Sequence, residues 1–142
     1  MAPSMPIDRP GARAAGPELL LLAQWEEFVA WLLAHTGRWP KSARFSLSQR
    51  VENHALDITE MLVTARYEPR HRAGLLYDVN LRLERMRHLF RLAHGAQVMP
   101  ARGFESAMRG VDECGRMLHG WRSTLAERAK GGAPAEEAVV HR

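Results

Sequence analysis

The groups in this chain capable of covalent or metal chemistry are 7 histidines, 1 cysteine and 16 side-chain carboxylates. The histidines are His35, His54, His71, His88, His94, His119 and His141. No His-Glu-x-x-His occurs, so the paired-imidazole helix of a zinc protease is missing. A di-iron bundle needs Glu-x-x-His on two inward faces plus two further glutamates. Glu84 to His88 is one residue too long for that motif and has no second copy. Cys114 falls on an apolar helical seam with nothing nearby in sequence to lower its pKa, so it reads as a buried thiol rather than a nucleophile. Asp57 and Glu60 lie one turn apart, a spacing that suits a basic partner, solvent or pairing with Arg66. There is no Gly-rich phosphate loop and no Gly-x-Ser-x-Gly. These residues specify no active site, no metal site and no cofactor.

Positive charge is the remaining functional signal. Lys and Arg number 20 against 16 Asp and Glu, a net charge of +4, and the pI is about 10.0. Only Lys41 and Lys130 are lysines, leaving 18 arginines (20 − 2). GC-rich codons favour Arg over Lys, which is one reading of that preference. Arginine's planar fork also suits phosphates and stacked bases better than an ammonium does. Arg87, Arg91 and His94, spaced four and then three apart, share one helical face, with Arg82 and Arg85 on a neighbouring strip. Like charges at that spacing cost roughly 0.2–0.5 kcal/mol per pair, offset in part by Asp78–Arg82 and Glu84–His88 contacts. A surface that tolerates this cost is expected to face an anionic partner. The candidate RNA- or partner-binding residues are therefore Arg82, Arg85, Arg87, Arg91 and His94, with Arg44 and Arg50 from the preceding helix. Arg102, Arg109, Arg116 and Arg122 are possible extensions of the same surface.

Four helices are expected to carry these groups. The first spans about 17–36, with Pro17 at its favoured first position, Glu18 suiting the dipole and Gly37 ending it. Its apolar face, Leu21, Leu22, Trp25, Phe28, Val29, Leu32 and Leu33, is wide enough to serve a contact between subunits as well as the core. The second spans about 41–67, where Leu47, Val51, Ala55, Ile58, Leu62 and Ala65 recur at alternating three- and four-residue steps until Pro69 intervenes. The third covers about 70–94 with Gly95 as its cap, on a stripe of Leu75, Leu76, Val79, Leu83, Met86, Phe90 and Ala93. In the fourth, about 101–129, Phe104, Ala107, Val111, Cys114, Leu118, Trp121 and Leu125 form a three-four seam. Gly110, Gly115 and Gly120 each cost that helix about 1 kcal/mol relative to Ala. Close packing is expected at Gly115 and Gly120, whereas the pattern offers no reason for Gly110. Short connections make consecutive helices antiparallel. The fold class is thus all-α, an up-down-up-down four-helix bundle over 17–130, with a disordered leader at 1–16 and a flexible tail at 131–142.

Residues Trp39 to Tyr67, WPKSARFSLSQRVENHALDITEMLVTARY, resemble the second helix of the accessory variability determinant proteins of diversity-generating retroelements. LRLERMRHLFRLAH at Leu81 to His94 and GRMLHGW at Gly115 to Trp121 extend the likeness, in the family's order, over about Trp25 to Ala129. Trp39 and His119 depart from the expected pattern. The resemblance implies a small four-helix bundle, similar in fold to the proteins encoded by 23S rRNA intervening sequences. It implies a homopentameric, barrel-like ring that binds the element's reverse transcriptase and its template-repeat RNA. The polymerase chemistry of mutagenic retrohoming then belongs to the reverse transcriptase. The alternative is a protein of the intervening-sequence type that binds ribosomal RNA or a protein partner.

No apolar run approaches the ~20 residues needed to span a bilayer. The N-terminus lacks a signal peptide's charged-then-apolar order. A cytoplasmic, membrane-free location is the expectation.

Overall fold

A computed structural model describes residues 16–131. The expected leader and tail fall on residues 1–16 and 131–142, almost wholly outside that span. The described chain forms four helices: α1 (Pro17–Thr36), α2 (Gln49–Tyr67), α3 (Pro69–Gly95) and α4 (Ala101–Gly131). No strand occurs among the described residues. Each helix packs against two others, α1 on α2 and α4, and α3 on α2 and α4, so the bundle is all-α and antiparallel.

The stripes meet in one core. Trp25, Leu32, Val51, Ile58, Leu76, Met86, Phe90, Val111 and Leu118 are all essentially sealed from solvent. Burying each such aliphatic side chain stabilises the fold by roughly 1.5–3 kcal/mol. Trp25 also ties α1 to α2, its indole Nε1 donating to the Ala55 carbonyl at 3.2 Å and to Thr59 Oγ1 at 3.1 Å. A buried indole needs such partners, because an unpaired N–H in the core is costly. Leu33 departs from expectation. Like Leu20 and Trp31 it is exposed at the margin of the core rather than sealed in it, and Trp31 stacks between Phe28 and His35.

Element boundaries differ from the sequence reading at two places. The second helix does not begin as a regular α-helix at Lys41. A 3-10 turn at Lys41–Ala43 leads into a π turn at Arg44–Ser48, and α2 follows from Gln49. The wider π turn absorbs one extra residue, so Ala43, Ser48 and Val51 are buried and Phe45 is turned outward. At the far end of α3, Gly95 is still helical and is not the cap. The left-handed position is Gln97 (φ 62), and the amides of Val98 and Met99 both donate to the Ala93 carbonyl.

The glycines of α4 also divide differently. Phe28 of α1 lies over Gly110 and His35 lies over Gly103, so closely that a Cβ at either glycine would overlap the ring. These ring–glycine pairs are seven residues apart on both helices and set the register of α1 against α4. Gly110 thereby acquires the reason that helical periodicity could not supply. Gly120 has nothing near it, contrary to the close packing expected there.

Candidate nucleic-acid interface

The basic residues of α3 stand on two flanks rather than on one stripe with a neighbour. Arg82 leans toward α2, where its Nη1 donates to Asp57 Oδ2 at 2.8 Å. Arg87 leans the opposite way, toward α4. There its Nε donates to Asp112 Oδ1 at 2.9 Å, and its Nη1 to Glu84 Oε1 at 2.8 Å within α3. The five-residue step between Arg82 and Arg87 turns the helix by about 140°, which places them on either side of the buried Leu83–Met86 ridge. Asp78 was the expected partner of Arg82. Instead Asp57 takes it across the helix pair, while the Glu84–His88 contact forms at 3.8 Å.

On the α2 side, the structure gathers three of the predicted residues around one histidine. Arg50, His54 and Asp57 follow at steps of four and three along α2, and Arg82 and Arg85 face them from α3. The His54 pKa is lowered, first by partial burial and then by the fields of Arg82 and Arg85, with Arg50 adding and Asp57 opposing. Its ring Nδ1 stands 3.4 Å from Arg82 Nη1. Arg50 and Arg85 are exposed and have no carboxylate within ion-pair distance among the described residues. The centre of this cluster, His54 with Asp57, was missed as a site, although its spacing along one helical face was visible.

On the α4 side, a shallow cleft is lined by Asn80, Arg87, Asp112, Gly115, Arg116 and His119. Gly115 leaves the room through which the Arg87 guanidinium crosses to Asp112. Arg87 is only 19% exposed in its side chain, so it ties two helices together more than it offers charge to a ligand. His94 has a similar internal role. It stacks on Phe104 of α4, ring centroids 4.7 Å apart, and its Nδ1 lies 3.1 Å from the Met99 carbonyl oxygen. Arg91 and Arg44 remain exposed and unpaired among the described residues.

Charge is unevenly shared between helices. The α1 sequence holds Glu18, Glu26 and Glu27 and no Lys or Arg, whereas α3 holds six arginines against Asp78 and Glu84. One α3 arginine was unforeseen in its task. Arg72 donates to the Ala65 and Arg66 carbonyls at 2.6 and 2.7 Å, closing the end of α2, and it also lies over Trp121.

Cys114 is buried, and burial with the neighbouring Glu113 pushes its pKa up to about 12. Among the described residues, no group of three His, Cys, Asp or Glu side chains could hold a metal ion. No described helix is long and apolar enough to cross a membrane. Fold and surface together define a four-helix bundle with an arginine-rich side.

A family model described as bAvd-like matches residues 19–125, most of the chain, and the chain belongs to that family. Its members are accessory proteins of noncatalytic type, in line with the likeness carried by the Trp39–Tyr67, Leu81–His94 and Gly115–Trp121 segments. Comparison with curated proteins and with solved structures gives no significant match.

Proposed function

We propose that this chain is the accessory subunit of a diversity-generating retroelement, binding the element's reverse transcriptase and template-repeat RNA to support mutagenic cDNA synthesis. Family membership supports the accessory role. The observation that carries the RNA-binding part is the gathering of Arg50, Arg82 and Arg85 around His54. Several cations converge there beside a partly buried imidazole, and an approaching phosphate oxygen relieves their mutual repulsion. Arg91 and Arg44 extend the field. Self-association into a homopentameric ring repeats each arginine around an axis, so phosphate contacts accumulate without a high charge on any one subunit. Assignment to the bAvd-like family favours this role over that of a 23S-intervening-sequence protein.

Co-expression with the neighbouring reverse transcriptase, followed by affinity purification and light scattering, tests the assignment. The expected product is a complex of both proteins with template-repeat RNA and a pentameric accessory component. Failure of wild-type protein to retain either the polymerase or the RNA would exclude this role.

A further inference from the structure

We propose that Phe45 is a stacking platform for an unpaired RNA base, set in a basic stretch of chain that carries Arg38, Lys41, Arg44 and Arg50. This site rests on the RNA-binding role above and adds to it a specific aromatic contact on the connection between α1 and α2.

Phe45 is 84% exposed, more than any other large apolar side chain among the described residues. Its orientation follows from the π turn at Arg44–Ser48. That turn satisfies the core with Ala43, Ser48 and Val51 and leaves the intervening phenyl ring facing solvent. Such single π turns are an unfavoured helix geometry and recur at functional positions. Residues 37–51 contain Arg38, Lys41, Arg44 and Arg50 and no Asp or Glu. All four cations are exposed, and none has a carboxylate within ion-pair distance among the described residues.

The chemistry of this patch selects its partner. A protein helix or strand docks on a contiguous apolar surface, whereas the immediate neighbours of Phe45 in its turn are Arg44 and Ser46, with Lys41 and Gln49 one turn to either side. One exposed ring among cations matches a ligand that pairs a flat π face with adjacent negative charge. An unstacked nucleotide has both, and base–aromatic stacking is tolerant of sequence. The connection just before that turn also holds an unmet donor. Trp39 is buried, and its indole N–H has no acceptor among the described residues. Trp39 and Arg44 line a cavity of about 90 Å³ together with Thr36, Ser48 and Glu52. The Glu52 carboxylate there is engaged by the Thr36 hydroxyl at 2.6 Å.

The test measures anisotropy of a labelled single-stranded RNA and of the same RNA in a duplex, using the full chain and the variants Phe45→Ala, Phe45→Leu, Phe45→Tyr and Arg44→Ala. Phe45→Ala is expected to weaken single-strand binding about tenfold, leave duplex binding unchanged and leave the salt dependence intact, because stacking releases no counterions. Phe45→Leu behaves like Phe45→Ala, and Phe45→Tyr like wild type. Arg44→Ala lowers the salt slope by about 1. Equal losses on single strand and duplex overturn the site. Rescue by leucine also overturns it and marks an apolar protein contact instead, as does loss of reverse transcriptase binding with RNA binding unchanged. Wild-type protein that binds no RNA removes the RNA-binding role itself. Wild-type protein that binds RNA regardless of Phe45 removes only this platform.

Discussion

The two flanks of α3 use the same residue type for opposite ends. Toward α4, Arg87 is shielded, held by Asp112 and Glu84, and passes over a glycine that keeps its path clear. Toward α2, Arg82 is held by Asp57 alone, while Arg85 and Arg50 stay unpaired beside His54, whose pKa is lowered first by burial and then by the fields of Arg82 and Arg85. An arginine matched by carboxylates holds helices together, and an unmatched one leaves its field open to solvent. The difference lies in the acids within reach, Asp57 of α2 on one side and Asp112 of α4 with Glu84 of α3 itself on the other.

Double charge reversal, Arg85→Glu with Arg91→Glu, is the strongest way to break this contrast. Electrophoretic or anisotropy titration should show RNA affinity falling by at least about tenfold, with the salt slope lowered by roughly 2 and the melting temperature nearly unchanged. If the double variant melts early instead, those arginines are structural and the contrast fails. Arg87→Met should do the reverse. Denaturant unfolding is expected to register a loss of about 1–3 kcal/mol, because Asp112 and Glu84 lose a charged hydrogen-bond donor, while RNA affinity changes little. Arg82→Met, with one partner and more solvent, should lose less, on the order of 0.5–1 kcal/mol.

Glycine replacements on α4 sharpen the picture further. Gly120→Ala should stabilise the protein by about 1 kcal/mol through helix propensity, as nothing stands nearby. Gly115→Ala gains the same propensity but crowds the Arg87 guanidinium, so its net gain should be smaller. Equal gains in thermal melts would mean that the Arg87 crossing tolerates a methyl group at no cost.

Acid gives the smallest effect and is confined to the α2 flank and the His35 seam. The folded pKa values of His54 and His35 lie below their ordinary 6.5, first through burial and then through neighbouring arginines. Between about 6.5 and those lower values the unfolded chain binds more protons than the folded one. Stability is therefore full above pH 6.5 and falls as pH drops through that window. His54→Gln should flatten part of the decline in urea midpoints measured from pH 7.5 to 5, whereas an unaltered pH profile would remove the cluster's field from the account.

Much of this molecule was readable from residue spacing. The three- and four-residue recurrence of apolar side chains placed all four helices and nearly every core residue, including Trp25, Phe90 and Cys114. Burial of a helical stripe obeys a local period, and periodicity needs no knowledge of neighbours. The candidate arginines were equally visible as charges, Pro17 marked the start of α1, and Pro69 marked the end of α2.

What a one-dimensional pattern cannot carry is which helix faces which, and at what height. Asp57 took Arg82, Asp112 took Arg87, and Phe28 took Gly110 because antiparallel packing set those residues side by side across 25 or more positions of chain. The π turn that exposes Phe45 likewise settles a conflict of register between the α1–α2 connection and the core, and that conflict exists only once the helices are packed. Charge and hydrophobicity belong to residues, whereas pairing and exposure belong to the assembled bundle.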